Sequence, residues 1–123
     1  MTNSLASLRI FADALEPTAA FYRDVVGLEE VWASPEVVVF GRDPMIVIET
    51  SDDDARSEGL LGRFVGAAFK TEDAEALHRD LTARGVETAG APERQPWGGI
   101  LLHAVDPSGN TITFLQDGRT GGN

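Results

Sequence analysis

One carboxylate, two imidazoles and a few large rings carry most of the chemistry this sequence offers. Glu49 closes the apolar run Met45-Ile46-Val47-Ile48. A carboxylate at a strand end either reaches solvent or, if enclosed, must find hydrogen bonds, a cation or a proton. Enclosed, it would bind an amine or act as a general base; both readings stand. His103 lies ten positions before Thr113, across a hairpin, where strand parity can put the two on one face. An imidazole there can act as acid, base or donor, or sit as a satisfied polar group. His78, among Glu75, Arg79 and Asp80, belongs to the wet side of a helix. Trp97, in Pro96-Trp97-Gly98-Gly99, offers a flat face for stacking on a ligand ring. Trp32, Phe40 and Phe114 add aromatic surface suited to a pocket wall or a core.

Other chemistries are excluded early. The 123 residues contain no cysteine, so thiolate catalysis, disulfides and cysteine-held metal clusters are absent. A formal charge of −10 argues against nucleic acid, which requires a basic face. The same charge keeps a protein soluble and can steer a cationic ligand. Asp52-Asp53-Asp54 lacks the later glycine and closing glutamate of a calcium-binding helix–loop–helix, so it reads as a solvated loop. No apolar run is long enough to span a bilayer and the start does not resemble a leader, so the expected location is the cytoplasm, with no membrane partner.

The elements that must position these residues follow from periodicity. Ser7 to Ala12 reads as a strand, and Glu16-Pro17 opens a helix whose inward stripe is Phe21, Val25 and Leu28. Strands are expected over Glu30 to Ala33, Glu36 to Phe40 and Met45 to Thr50, and residues 51–62 as a mobile linker. Phe64 to Lys70 then forms a strand, and Thr71-Glu72-Asp73 caps a second helix with Ala76, Leu77, Leu81 and Ala83 inward. Three strands follow: Glu87 to Ala89, Ile100 to Val105 and Thr111 to Gln116. The last two are joined by the turn Asp106-Pro107-Ser108-Gly109-Asn110.

The order is therefore β-α-β-β-β twice. The helix-ending glycines Gly27 and Gly85 stand 58 positions apart, and the strand positions Ser7 and Gly66 stand 59 apart. The reading is one α+β domain of two βαβββ modules, at about 5–50 and 63–117, with a flexible tail at 118–123. Two such modules are expected to curl into an open, barrel-like cleft that takes a ligand.

Three segments resemble the vicinal oxygen chelate superfamily, which includes glyoxalase I, extradiol dioxygenases and bleomycin-resistance proteins. They are Leu15 to Leu28 with its Phe21-Tyr22 and Val26-Gly27-Leu28, Ala67 to Asp73 leading to Ala83-Arg84-Gly85-Val86, and Pro96-Trp97-Gly98-Gly99 followed by Asp106 to Phe114. The resemblance covers most of residues 5 to 117. It implies the glyoxalase/bleomycin resistance/dioxygenase fold and, in metal-using members, four ligand positions. These fall on Ser7, Glu49, Gly66 and Thr113. Only Glu49 is a competent donor, and a site for iron, manganese, zinc or nickel needs about three.

The resemblance therefore implies a metal-independent protein with no cofactor that binds a small organic molecule, aromatic or cationic, in the manner of bleomycin-resistance proteins. The ligand-binding candidates are Trp97, Glu49, His103, Trp32, Phe40, Thr113 and Ser7. It also implies a homodimer. The alternative is an enzyme of the same fold, either a metal-free acid–base catalyst using Glu49 and His103 or a metalloenzyme with ligands elsewhere.

Overall fold

The computed structural model describes residues 2–118, so the expected tail lies outside the described residues apart from Gly118. The chain forms two compact units. The first comprises the residues up to Arg63 together with Pro107–Asn110, and the second comprises Phe64–Asp106 with the last strand from Thr111.

In the first unit β1 (Ser7–Ala12) leads to α1 (Leu15–Ala20), which continues as a π-helical turn over Phe21–Val25. Then come β2 (Glu30–Ala33), β3 (Val37–Phe40) and β4 (Met45–Thr50). The sheet order is β1-β4-β3-β2, with β1 parallel to β4 and the other pairs antiparallel. Alternation divides the strands into two faces. Ile10, Ala12, Val38, Phe40 and Ile48 are enclosed with Ala19, Phe21 and Tyr22 of the helix. The opposite face carries Ser7, Arg9, Phe11, Val37, Val39, Val47 and Glu49, none of them fully buried. Val25 and Leu28 of the expected stripe are only half-buried, and Tyr22, in the π turn, has no exposed surface.

Two expectations for this half are corrected. Residues 51–62 contain a helix, α2 (Asp53–Ser57), where a linker was expected. Asp52 starts it by accepting the Ala55 N–H at 2.7 Å, and Asp53 and Asp54 suit the positive end of the helix. A single turn with no apolar stripe leaves no periodic signal. Strand β3 also begins one residue later than expected, after Ser34 Oγ accepts the Glu36 and Val37 amides.

The second unit repeats the topology with β5 (Phe64–Lys70), α3 (Ala74–Ala83), β6 (Glu93–Arg94), β7 (Ile100–Val105) and β8 (Thr111–Gln116) in the order β5-β8-β7-β6. Again the first strand is parallel to the last. Leu102, Ala104, Ile112 and Phe114 are buried on one face of the sheet, as are Ala74 and Leu81 of α3. Asp73 caps α3 through the Ala76 N–H, and Gln116 Oε1 accepts the Ala74 N–H at 2.8 Å. Ala83, expected inward, is exposed at the last turn. The strand expected over Glu87 to Ala89 is a single bridge, Thr88 to Ala104, and the regular pairing moves to β6 beyond Pro92. No helix among the described residues is long and apolar enough to cross a membrane.

Candidate functional site

On the open face of the first sheet, Arg9 and Glu49 form a two-pronged ion pair. Arg9 Nε donates to Glu49 Oε2 at 2.7 Å and Nη2 donates to Oε1 at 2.9 Å. The register explains the meeting: Phe11 is the partner of Glu49, and Arg9 lies two residues back on the same face. The guanidinium also lies 5.4 Å from the centre of the Phe11 ring. Its pKa is raised further above its ordinary value, first by these hydrogen bonds and then by the carboxylate's charge, so Arg9 is a permanent cation here.

Ser7 and Glu49, two of the ligand positions the resemblance implies, lie apart in the sheet. Ser7 pairs with Met45, four residues from the level of Glu49, or about 13 Å of strand. The β1 residue that reaches Glu49 is Arg9. A guanidinium cannot ligate a metal, and this one already occupies both carboxylate oxygens.

In the second unit, Thr113 and His103 are register partners on the sheet face opposite Leu102 and Phe114. His103 Nδ1 and Thr113 Oγ1 share a hydrogen bond of 2.9 Å, and the Phe64 ring meets the imidazole edge-on at 5.9 Å between centres. Thr113 is buried, while Phe64 is largely exposed. Gly66 lies where the β5–β8 register slips between Phe64 and Ala68, at φ +81°. An L side chain there is strained, so this position is a backbone bulge as well as a missing ligand. Among the described residues no three His, Asp or Glu side chains gather as a metal site. The donors at the four family positions do not fit a metal ion.

The second unit also contains a recess of about 570 Å³ lined by Lys70, Thr71, Glu72, Trp97, Leu115 and Asp117. Strand pairing places Lys70 beside Leu115, and the Thr71 N–H is tied to the Leu115 carbonyl at 2.9 Å. Trp97 sits at the tip of the β6–β7 hairpin, which is closed by Gln95 N–H to Gly99 O at 2.7 Å and Gly98 N–H to Gln95 O at 2.9 Å. Arg94 Nη1 adds a bond to Gly98 O. The ring is 62% exposed.

The structure therefore distributes the sequence candidates over several places. Glu49 joins Arg9 in the first unit. His103 joins Thr113, and Trp97 joins the recess, in the second. Trp32 is exposed on edge strand β2. Phe40 has no exposed surface and Phe114 almost none, so both rings are core. His78 is half-buried on α3. Sequence reasoning missed Lys70, Glu72 and Asp117; their only signal was position, at the end of β5 and just after β8.

A profile of the glyoxalase/bleomycin resistance protein/dioxygenase superfamily matches residues 4–114. An uncharacterized Bacillus subtilis (strain 168) protein, YraH, is 25% identical over 130 residues, covering 91% of this chain and 97% of its own. Among solved structures, a lactoylglutathione lyase from Agrobacterium tumefaciens superposes with a TM-score of 0.75 at 23% identity, covering 98% of both chains. A superfamily member from Sphaerobacter thermophilus gives 0.75 at 23% identity over 94% of this chain and 98% of its own. At that identity the likeness speaks for the fold, which the repeated βαβββ topology already displays. The length of the profile match settles the family: this chain belongs to the glyoxalase/bleomycin resistance protein/dioxygenase superfamily.

Proposed function

We propose that the protein is a metal-independent binder of small organic molecules, aromatic or cationic, and that the recess beside Trp97 is where it holds them. The recess carries the reading. Its volume of about 570 Å³ falls inside the roughly 300–1,000 Å³ of small-ligand sites. It also combines an exposed indole with charged groups at its rim. Metal independence is supported by the donors at the family positions. Ser7 and Thr113 are neutral hydroxyls, Gly66 has no side chain, and Glu49 is already bound by a fixed cation.

The test is calorimetric titration of the protein with a panel of flat ring compounds, with and without a chelator. Binding is expected to survive chelation, and Trp97→Ala is expected to weaken it about tenfold or more. A tight stoichiometric zinc, nickel, manganese or iron site with turnover of a thiol adduct or a catechol would overturn the reading. Glu49→Gln separates binder from acid–base enzyme. Both Glu49 oxygens are already taken by Arg9, so ring-compound affinity is expected to change by less than about threefold. Loss of a measurable turnover would instead assign Glu49 as a base.

A further inference from the structure

Trp97 is fixed in place by a residue that has no side chain. A Cβ built on Gly99 would lie 1.9 Å from Trp97 Cζ3, 2.3 Å from Cη2 and 2.9 Å from Cε3. The six-membered part of the indole therefore lies on the Gly99 backbone, and Gly99 is buried although Trp97 is mostly exposed. One side of the ring is spent on this seat. The hairpin tip is held by the Gln95–Gly99 and Gly98–Gln95 bonds and by Arg94. What remains is a flat platform with little freedom left to lose on binding, which is the condition under which stacking contributes most to affinity.

The charges around the recess narrow what would lie on it. Glu72 sets a carboxylate beside the ammonium of Lys70 in the lining of the recess. Neither Lys70 nor Glu72 is in an ion pair among the described residues. An indole face attracts cations by its quadrupole, and the whole chain, at −10, attracts them from a distance. Ring and overall field favour the same sign, and Glu72 is the carboxylate placed to hold it.

Building on the proposed binding recess, we infer that the outer face of Trp97, seated on Gly99, is a one-sided stacking site for a flat ring that carries a positive charge. Gly99 is its positioning residue. It does not touch the ligand, and it sets the plane in which the indole receives it. Glu72 selects the charge.

Gly99 lacks the positive φ that would forbid another residue. The atoms an added methyl would meet are the far edge of one side chain. Gly99→Ala is therefore expected to fold and to tip the ring. The probes are N-methylquinolinium as flat monocation, quinoline as its neutral counterpart, naphthalene sulfonate as flat anion and tetramethylammonium as a cation without a ring. Binding is read by calorimetry and by the Trp97 indole N–H resonance, assigned in a Trp32→Phe background. N-methylquinolinium is expected to bind about tenfold more tightly than quinoline or tetramethylammonium and to outcompete the anion altogether. Gly99→Ala should weaken it about tenfold with thermal stability retained, and Glu72→Gln should bring cation and neutral ring to within about threefold.

Equal or tighter binding of the neutral or anionic ring overturns the inference, as does a folded Gly99→Ala variant that binds like the parent. In those cases the recess would still be a binding site. If no probe or panel compound moves the Trp97 resonance, the recess reading fails and the inference fails with it. Should Gly99→Ala not fold, Trp97→Leu on the intact seat supplies the same comparison by calorimetry. A loss below about twofold would then overturn the platform.

Discussion

Replacing Asn110 with Ala is expected to lower the Tm by about 10–20 °C. This side chain has no exposed surface. Its Oδ1 accepts the amides of Gly62 at 2.9 Å and Arg63 at 3.2 Å, and its Nδ2 donates to the Phe11 carbonyl at 2.8 Å. Alanine would strip partners from two donors and one acceptor in the first unit. Each such group costs about 1–3 kcal/mol when water cannot replace the lost partner, against a total stability of roughly 5–15 kcal/mol. Asn110→Asp keeps the acceptor for the two amides but turns an oxygen toward the Phe11 carbonyl, so it should fall between parent and alanine variant. Thermal and urea unfolding measure both. A Tm within about 2 °C of the parent for Asn110→Ala would show that the three bonds contribute little net stability.

The second large effect is expected at Phe40. The ring is wholly enclosed in the core of the first sheet, as are Val38 and Ile48. Removing it leaves a cavity, and Phe→Ala changes of this kind cost about 3–5 kcal/mol. The change should destabilise the fold and leave the affinity of the recess for ring compounds unaltered, because the recess is lined entirely by residues of the second unit. Denaturant unfolding combined with calorimetric titration below the midpoint distinguishes the two roles. A selective loss of affinity at unchanged stability would return Phe40 to the list of ligand-facing rings.

Much of the fold was legible because its determinants are periodic or local. Ser7–Ala12, Met45–Thr50, Ile100–Val105 and Thr111–Gln116 emerge with the expected bounds, since alternation and turn residues mark both ends. The paired glycines also held their meaning: Gly27 and Gly85 both have positive φ just past a helix. Elements too short to carry a period were lost. One turn of α2 and the two polar residues of β6 depend on the Asp52 cap and on the hairpin closed at Gln95 and Gly99.

The candidate site was less legible, for a geometric reason. The resemblance named Ser7 and Glu49 together as ligand positions, but pairing in a parallel sheet is set by the strand partner, and that partner delivers Arg9. A shift of two residues keeps the face and changes the chemistry from a hydroxyl to a guanidinium. Gly66 could be recognised as a non-ligand, but its bulge could not, because a slip in register leaves no mark in composition. The charged rim of the recess was invisible for a related reason. Lys70 and Glu72 lie about 25 residues before Trp97, and only the folded sheet brings them to one opening.

The place of Asn110 has a consequence for how the chain is made. Gly62 and Arg63 leave the ribosome first, yet the oxygen that accepts their amides comes 47–48 residues later. At roughly 5–20 residues per second, synthesis reaches it only after about 2–10 seconds. During that interval the Gly62 and Arg63 amides and the Phe11 carbonyl lack the partner that Asn110 supplies. A truncated message ending near residue 63 would yield a permanently open half. Proteolysis of nascent chains stalled on a C-terminal spacer should therefore show protection of residues 7–50 rising only once the Asp106–Asn110 turn has cleared the exit tunnel.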